Sequence, residues 1–221
     1  MLVKWPSGCH DPDSCIRHGQ CMYIKCIHEG NKILNNWDSP YIHLAVAQPG
    51  VGKSAWFKIH AMGRTIQYHI ISTDDLIEKY AEASGKTYDE IFSEYIGVAT
   101  NRFNGMLASY LNSGSNIIVD RTNLTRKSRM KILLGVPSNY IKSAIVFTCS
   151  KETQEKRLAG RPGKFIPKHV IDTMRASYEE PTHKEGFDHI TFINTETATE
   201  HAFEGMNYFG WMGNDESSIH Q

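Results

Sequence analysis

From Tyr41 onward the chain alternates short apolar runs with longer amphipathic ones. The runs "YIHLAVA" (41–47), "YHIIS" (68–72), "NIIVD" (116–120), "SAIVFTC" (143–149) and "HITFI" (189–193) are rich in β-branched residues and predict five buried strands. Between them apolar residues recur at helical spacing, which predicts helices over about 53–62, 76–84, 88–112, 125–134, 151–159 and 167–178. In the longest of these, Phe92, Tyr95, Ile96, Ala99, Phe103, Met106, Leu107 and Tyr110 share one stripe and are expected to be core. The cluster "STDD" (72–75) supplies an N-cap ahead of the second helix. Strands alternating with helices predict an α/β fold, a five-stranded, mostly parallel sheet between helices. Residues 1–36 lack this periodicity and read as a small Cys/His-rich appendage. The α/β domain is expected over 37–194, and 195–221 read as a C-terminal extension, aromatic and Gly-rich before it turns acidic.

Composition changes this picture little. The 221 residues, 40% apolar and 22% charged, suffice for one domain with a generous core. The longest apolar runs fall far short of the roughly 20 residues a membrane helix needs. The start, "MLVKWPSGCHDPD", meets Pro, Gly and acids too early for a signal peptide. The expectation is an intracellular, cytoplasmic protein with reduced thiols and no membrane partner. Charge adds more. The net value is zero, yet between Arg121 and Lys168 twelve Lys and Arg stand against two acids, Glu152 and Glu155, a balance of +10. Such a block is either a solvated face or a surface that holds polyanions.

Three polar motifs each directly follow a predicted strand, which is where ligands bind in an open parallel sheet. The first is "AQPGVGKS" (47–54), a phosphate-binding loop with Ala47 where the stricter pattern has Gly. Gly50 and Gly52 let the backbone N–H groups of the stretch Gln48, Pro49, Gly50, Val51, Gly52 turn inward around phosphate, Pro49 lacking one. The following helix adds the positive end of its dipole; Lys53 reaches the outer phosphates and the Ser54 hydroxyl ligates Mg²⁺. The second motif sets Asp74 and Asp75 after the second strand, either as helix-capping acids or as a carboxylate that takes the proton of an attacking hydroxyl. The third, "VDRTN" (119–123), ends a strand on Asp120, placed to hold Mg²⁺ through water, before Arg121, Thr122 and Asn123 turn the chain. Further on, "RLAGRPGKFIP" (157–167) combines Gly160, Pro162 and Gly163 with Arg157, Arg161 and Lys164. It reads as a mobile basic lid that brings an arginine to a transferring phosphate, or as a solvated loop.

Together "QPGVGKS", "STDD", "DRTNL", "RLAGRPGKFIPKHVIDTMRASYEEP" and "EGFDHI" resemble the kinase domain of phage polynucleotide 5′-hydroxyl kinase and its P-loop relatives, over about residues 41–193. The resemblance implies a P-loop NTPase/kinase fold and ATP and Mg²⁺ held by Lys53 and Ser54. It also implies Asp74 as the base for the acceptor hydroxyl and Arg161 as the lid arginine, with Arg157 one turn earlier on the ATP. Acceptor or metal-water contacts then fall on Asp75 and on Asp120, Arg121, Thr122 and Asn123. The chain departs from the family at "DDLIEKY": Ile77 and Glu78 stand where the phage enzyme carries an arginine that grips the acceptor's phosphate. The expected activity is ATP-dependent phosphoryl transfer to a hydroxyl, foremost the 5′-OH of DNA or RNA. Two rivals stay open: a kinase of a hydroxylated DNA base, nucleoside or small metabolite, and a non-catalytic module that uses ATP only to change shape.

Cys9, Cys15, Cys21 and Cys26, interleaved with His10, His18 and His28, crowd the front of the chain. In a reducing compartment such crowding favours a structural Zn²⁺ site, with the four cysteines as the simplest ligand set. Plain thiols packed under a loop, or oxidised pairs, are the alternatives. Oligomeric state has no signal in the sequence.

Overall fold

The computed structural model describes residues 39–61 and 67–197, and those from Pro40 onward belong to one compact unit. Five strands, β1 (Tyr41–Val46), β2 (Tyr68–Ile71), β3 (Asn116–Val119), β4 (Ile141–Thr148) and β5 (His189–Asn194), form one sheet in the order β2-β3-β1-β4-β5. Every neighbouring pair is parallel. Six α-helices accompany them among the described residues: α1 (Lys53–Ala61), α2 (Thr73–Ser84), α3 (Tyr88–Asn112), α4 (Arg126–Leu133), α5 (Lys151–Ala159) and α6 (Lys168–Ala176). None of these is long and apolar enough to cross a membrane. The expected α/β architecture is therefore the one the chain adopts.

The central strand β1 is buried on both faces because its alternating side chains feed two cores. Ile42, Leu44 and Val46 pack with Phe103 and Leu111 of α3 and Ile132 and Leu133 of α4. Ala45 and Ala47 face Trp56 and Phe57 of α1. There the rings of Trp56, Phe57 and Phe147 meet edge to face at 5.3–5.5 Å. Small residues on that face of β1 let α1 lie close, and Ala47, 2% exposed, continues the packing into the phosphate loop.

Two local expectations need correction. Helix α2 begins at Thr73, three residues before its apolar periodicity does. The Ser72 side chain accepts from the Asp75 N–H at 3.2 Å, and two acids in the first turn suit the helix dipole. Asp74 and Asp75 are thus first-turn helical residues. In α3 the stripe holds from Ala99 onward but drifts at the start. Phe92 is 41% exposed, and Ile91, 1% exposed, takes the core position with Ile77, Ala81 and Ala99.

The loop after β3 is pinned from behind by Arg129, a fully buried arginine on α4. Its Nε and Nη2 donate to the two carboxylate oxygens of Glu185 at 2.7 and 2.8 Å. Its Nη1 donates to the carbonyls of Asn123, Leu124 and Glu179 at 2.8–3.2 Å. One guanidinium thereby joins the β3–α4 loop, the strap after α6 and the turn at His183–Glu185.

Candidate functional site

The ends of β1, β2 and β3 bring the three motifs together. In the phosphate loop Gly50 and Gly52 adopt φ of +82° and +99°, the left-handed region that favours glycine. A Cβ on Gly50 would also lie 2.7 Å from Leu158 Cγ, and one on Gly52 3.0 Å from Arg157 Nη1, so the loop is backed closely by α5. Gln154 of α5 donates from Nε2 to the Pro49 carbonyl at 2.8 Å and to Gln48 Oε1 at 3.0 Å, and Arg175 of α6 fixes its amide from the other side at 3.1 Å. Arg157 Nη1 donates to the Val51 carbonyl at 2.7 Å and to Thr195 Oγ1 at 2.9 Å. Arg157, expected as an ATP contact, braces the loop backbone. Among the lid cations, Arg161 is half-buried, and its guanidinium makes no hydrogen bond or ion pair with the described residues.

Lys53 opens α1 and points across the sheet, with its Nζ 3.2 Å from Asp120 Oδ1 at the end of β3. Ser54 follows in the first turn of the same helix. A hydroxyl and a carboxylate oxygen beside a phosphate cradle are the hard donors that Mg²⁺ takes, so this set fits ATP with Mg²⁺. The β1 and β3 ends are locked to each other. Ala47 N–H donates to the Thr122 carbonyl at 2.9 Å, and Asn123 Nδ2 donates to the Ala45 carbonyl at 2.9 Å. Asn123 is 4% exposed with φ +44°. Expected among the acceptor or metal-water contacts, it is a buried bracket, because its amide supplies the donor that the end of β1 lacks.

Asp74 sits 48% exposed by side chain, and both of its oxygens are engaged. Oδ2 accepts from Lys164 Nζ at 2.9 Å, and Oδ1 accepts from the Tyr88 hydroxyl at 3.0 Å. Burial works to raise its pKa, but the Lys164 charge and hydrogen bond, helped by Lys53 and Tyr88, outweigh it and hold the carboxyl below its usual range. Asp75 moves the other way: burial, then the nearby Asp120 charge, pushes it up. The two adjacent carboxyls are thus shifted in opposite directions by their surroundings. The same surroundings push the Tyr88 hydroxyl far up, burial first and the Asp74 charge second, so it remains a donor.

Arg121, next after Asp120, lies half-buried with its guanidinium 4.9 Å from the centroid of the Phe103 ring. It has no hydrogen bond or ion pair within the described residues. Burial lowers its pKa while the charge of Asp74 counteracts. Ile77 is 0% exposed, so that position of α2 faces the core and could not carry an acceptor-gripping arginine here. Missed by sequence reasoning were Lys164 as a partner of Asp74, together with Tyr88 and Glu78; the basic lid motif was the one signal that pointed toward Lys164. The four front cysteines lie outside the described residues. Cys149 is within them as a free, half-buried thiol whose pKa burial raises.

Solved structures of similar shape share this fold at low identity. A protein from Chloroflexus aurantiacus assigned as a kinase aligns with TM-score 0.55 at 16% identity, over 75% of this chain and 92% of its own. A sugar kinase from Janibacter gives 0.52 at 16%, over 78% and 94%. A chain of the Pnkp1/Rnl/Hen1 RNA repair complex gives 0.51 at 23%, over 68% of this chain and 47% of that one. These likenesses are to a P-loop kinase-like fold. The family match is stronger in kind: the AAA domain model AAA_33 matches residues 42–181, from the central strand through the lid to the strap held by Arg129. With well over half its length matched, phosphate loop included, the chain belongs to this AAA domain family.

Proposed function

We propose that the protein is an ATP-dependent kinase whose acceptor presents a hydroxyl beside an anionic group, best met by the 5′-OH of a DNA or RNA strand. Arg121 is the observation that carries this reading. A half-buried guanidinium with five donors, no ion-paired carboxylate among the described residues and a position that feels the Asp74 charge calls for an anionic ligand next to the base. The strand's own phosphate supplies one. Arg121 thereby offers from the loop after β3 the positive charge that α2, with Ile77 in the core, does not.

In the reaction the acceptor oxygen attacks the γ-phosphorus of ATP. Its O–P bond forms as the bond to the ADP oxygen breaks, and its proton passes to Asp74. Lys53 binds the outer phosphates and the loop N–H groups orient them, while Arg161, whose guanidinium has no partner among the described residues, is available to the transferring group. Mg²⁺, which Ser54 with Asp120 opposite would hold, supplies neutralisation of phosphate charge. Asp75, raised by burial and then by the Asp120 charge, would face the metal-water side. The freely exposed Lys and Arg of α4 would add weaker contacts to a polyanion.

The test is transfer of labelled γ-phosphate from ATP to a 5′-hydroxyl oligonucleotide, with wild type and Asp74→Asn side by side. Label on the 5′ end from wild type alone is the expected result. Label on a free nucleoside or hydroxylated base but not on the oligonucleotide end would replace the acceptor. ATP bound with no transfer to any hydroxyl would leave a binding module.

A further inference from the structure

Lys164 is the most enclosed cation at the site, with its side chain 8% exposed, although it sits on the lid loop. All three of its ammonium protons are spoken for. One goes to Asp74 Oδ2 at 2.9 Å and one to Glu78 Oε1 at 2.8 Å; the third side of the ammonium meets the Tyr88 ring, 4.0 Å from its centroid. Asp74 and Glu78 are four residues apart on α2 and therefore share one face of the helix. The lid backbone is fastened separately: Asp89 N–H donates to the Gly163 carbonyl at 3.1 Å, and Phe165 N–H donates to Asp89 Oδ2 at 2.7 Å. Lysine's flexible four-carbon stem can thus shift its tip between the two acids without undocking the loop.

This arrangement poses a conflict for the proposed reaction, on which the inference rests. The carboxylate meant to receive the acceptor's proton has one oxygen on an ammonium and the other on a phenol. An incoming hydroxyl must compete for it. We infer that Lys164 is a positioning residue with two seats: it holds Asp74 in place until a hydroxyl arrives, then withdraws onto Glu78 and leaves Asp74 Oδ2 to the acceptor. Glu78 is the feature that a simple lid strut would not need. It keeps the ammonium paired when Asp74 is given up, so that the exchange strands no charge in an enclosed place. Both acids are about half exposed, 48% and 52% by side chain, so an acceptor can approach from the open side while the lysine stays covered.

The experiment compares transfer rates of wild type, Glu78→Gln, Lys164→Met and Lys164→Met/Glu78→Gln. A 5′-hydroxyl oligonucleotide, a free nucleoside and water serve as acceptors, with ATP binding and thermal midpoints as folding controls. Glu78→Gln removes the second seat and pins the lysine on Asp74. The expected effect is a fall in kcat of about tenfold with KM for ATP unchanged within about twofold. Removing the lysine as well should relieve the competition, so the double variant is expected to run about fivefold or more faster than Glu78→Gln. Glu78→Asp should restore activity. Should Lys164→Met fail to bind ATP, Lys164→Gln takes its place, and the Glu78→Gln result stands by itself. Wild-type rates for Glu78→Gln, or a double variant no faster than Glu78→Gln, would overturn the two-seat inference. Label appearing on the nucleoside instead of the oligonucleotide would overturn the acceptor reading alone, because the order of the four variants can be read on any acceptor. Transfer to none of the three by wild type would overturn both.

Discussion

Replacing Arg129 by Met deletes the buried guanidinium that ties three segments together, and the loss can be worked out from its partners. Glu185, 4% exposed, would keep the Thr182 N–H at 3.1 Å but lose its counter-charge. A stranded carboxylate can escape by taking a proton, which limits the penalty. For a carboxyl of ordinary pKa 4.5 that escape costs about 3.4 kcal/mol at pH 7, at about 1.4 kcal/mol per unit. The Leu124 carbonyl retains a donor, the Glu179 N–H at 2.9 Å, whereas the buried Asn123 carbonyl loses its only donor among the described residues and adds about 1–2 kcal/mol. The total, about 4–5 kcal/mol, is a large part of a typical domain's stability and corresponds to a fall in Tm of about 10–20 °C. In wild type, burial opposes ionisation of Glu185, but Arg129 and the Thr182 N–H hold its pKa below the usual value. That stabilisation is complete above the ordinary carboxylate pKa and is lost only as pH falls through the lowered one. At pH 5 wild type is therefore unaffected, while the variant protonates Glu185 for about 0.7 kcal/mol, so the deficit should shrink by about 2–3 kcal/mol. Urea unfolding at pH 7 and pH 5 measures both numbers, and Arg129→Met/Glu185→Leu should recover most of the loss. A deficit below about 1 kcal/mol at pH 7, or one that ignores pH, would refute the reasoning.

Other expectations follow from the same geometry. Asp74→Asn should lower turnover by about 10²–10⁴ while calorimetry finds ATP affinity nearly unchanged, and equal losses of both would remove Asp74 from the role of base. Gly52→Ala forces a Cβ onto a φ of +99° and against the Arg157 clamp; ATP affinity should fall by about tenfold or more in a binding titration. Gly97→Ala, by contrast, adds its methyl where no atom lies within 4 Å on exposed α3, and should raise stability by about 0.5–1 kcal/mol in thermal denaturation. Arg121→Met should raise KM for an oligonucleotide without changing KM for ATP, and should reduce the salt slope of oligonucleotide binding by about one unit.

What the sequence made legible is what is local in it. The phosphate loop, the acids after β2 and the aspartate ending β3 each lie within a few residues of a strand whose period is plain, so their placement followed from the strand order. The contacts that define how the site is held are remote. Lys164 lies 90 residues from Asp74, and Arg129 lies 56 from Glu185. On α4 that arginine reads as one more surface cation in "RKSRM", because nothing near it reveals the acid and carbonyls that pay for its burial. Asn123 is ambiguous in sequence for a related reason. Its residue type suits ligand contact and left-handed turns alike, and only the neighbouring strand end decides between them. Within the +10 segment the sequence likewise hides which cations are engaged: Arg129 is buried, Arg157 braces the loop and Lys164 is paired with acids.

The position of β1 at the centre of the sheet bears on how the chain is made. Its neighbours are β3, with Ile42 opposite Ile117, and β4, with Tyr41 opposite Ile141. The strand that carries the phosphate loop thus leaves the ribosome 75 to 100 residues ahead of both its partners, an interval of about 4–20 s at about 5–20 residues per second. Throughout that interval Ile42, Leu44 and Val46 have no sheet to join, and a nascent chain stalled before β3 would expose an apolar edge suited to chaperone capture or self-association.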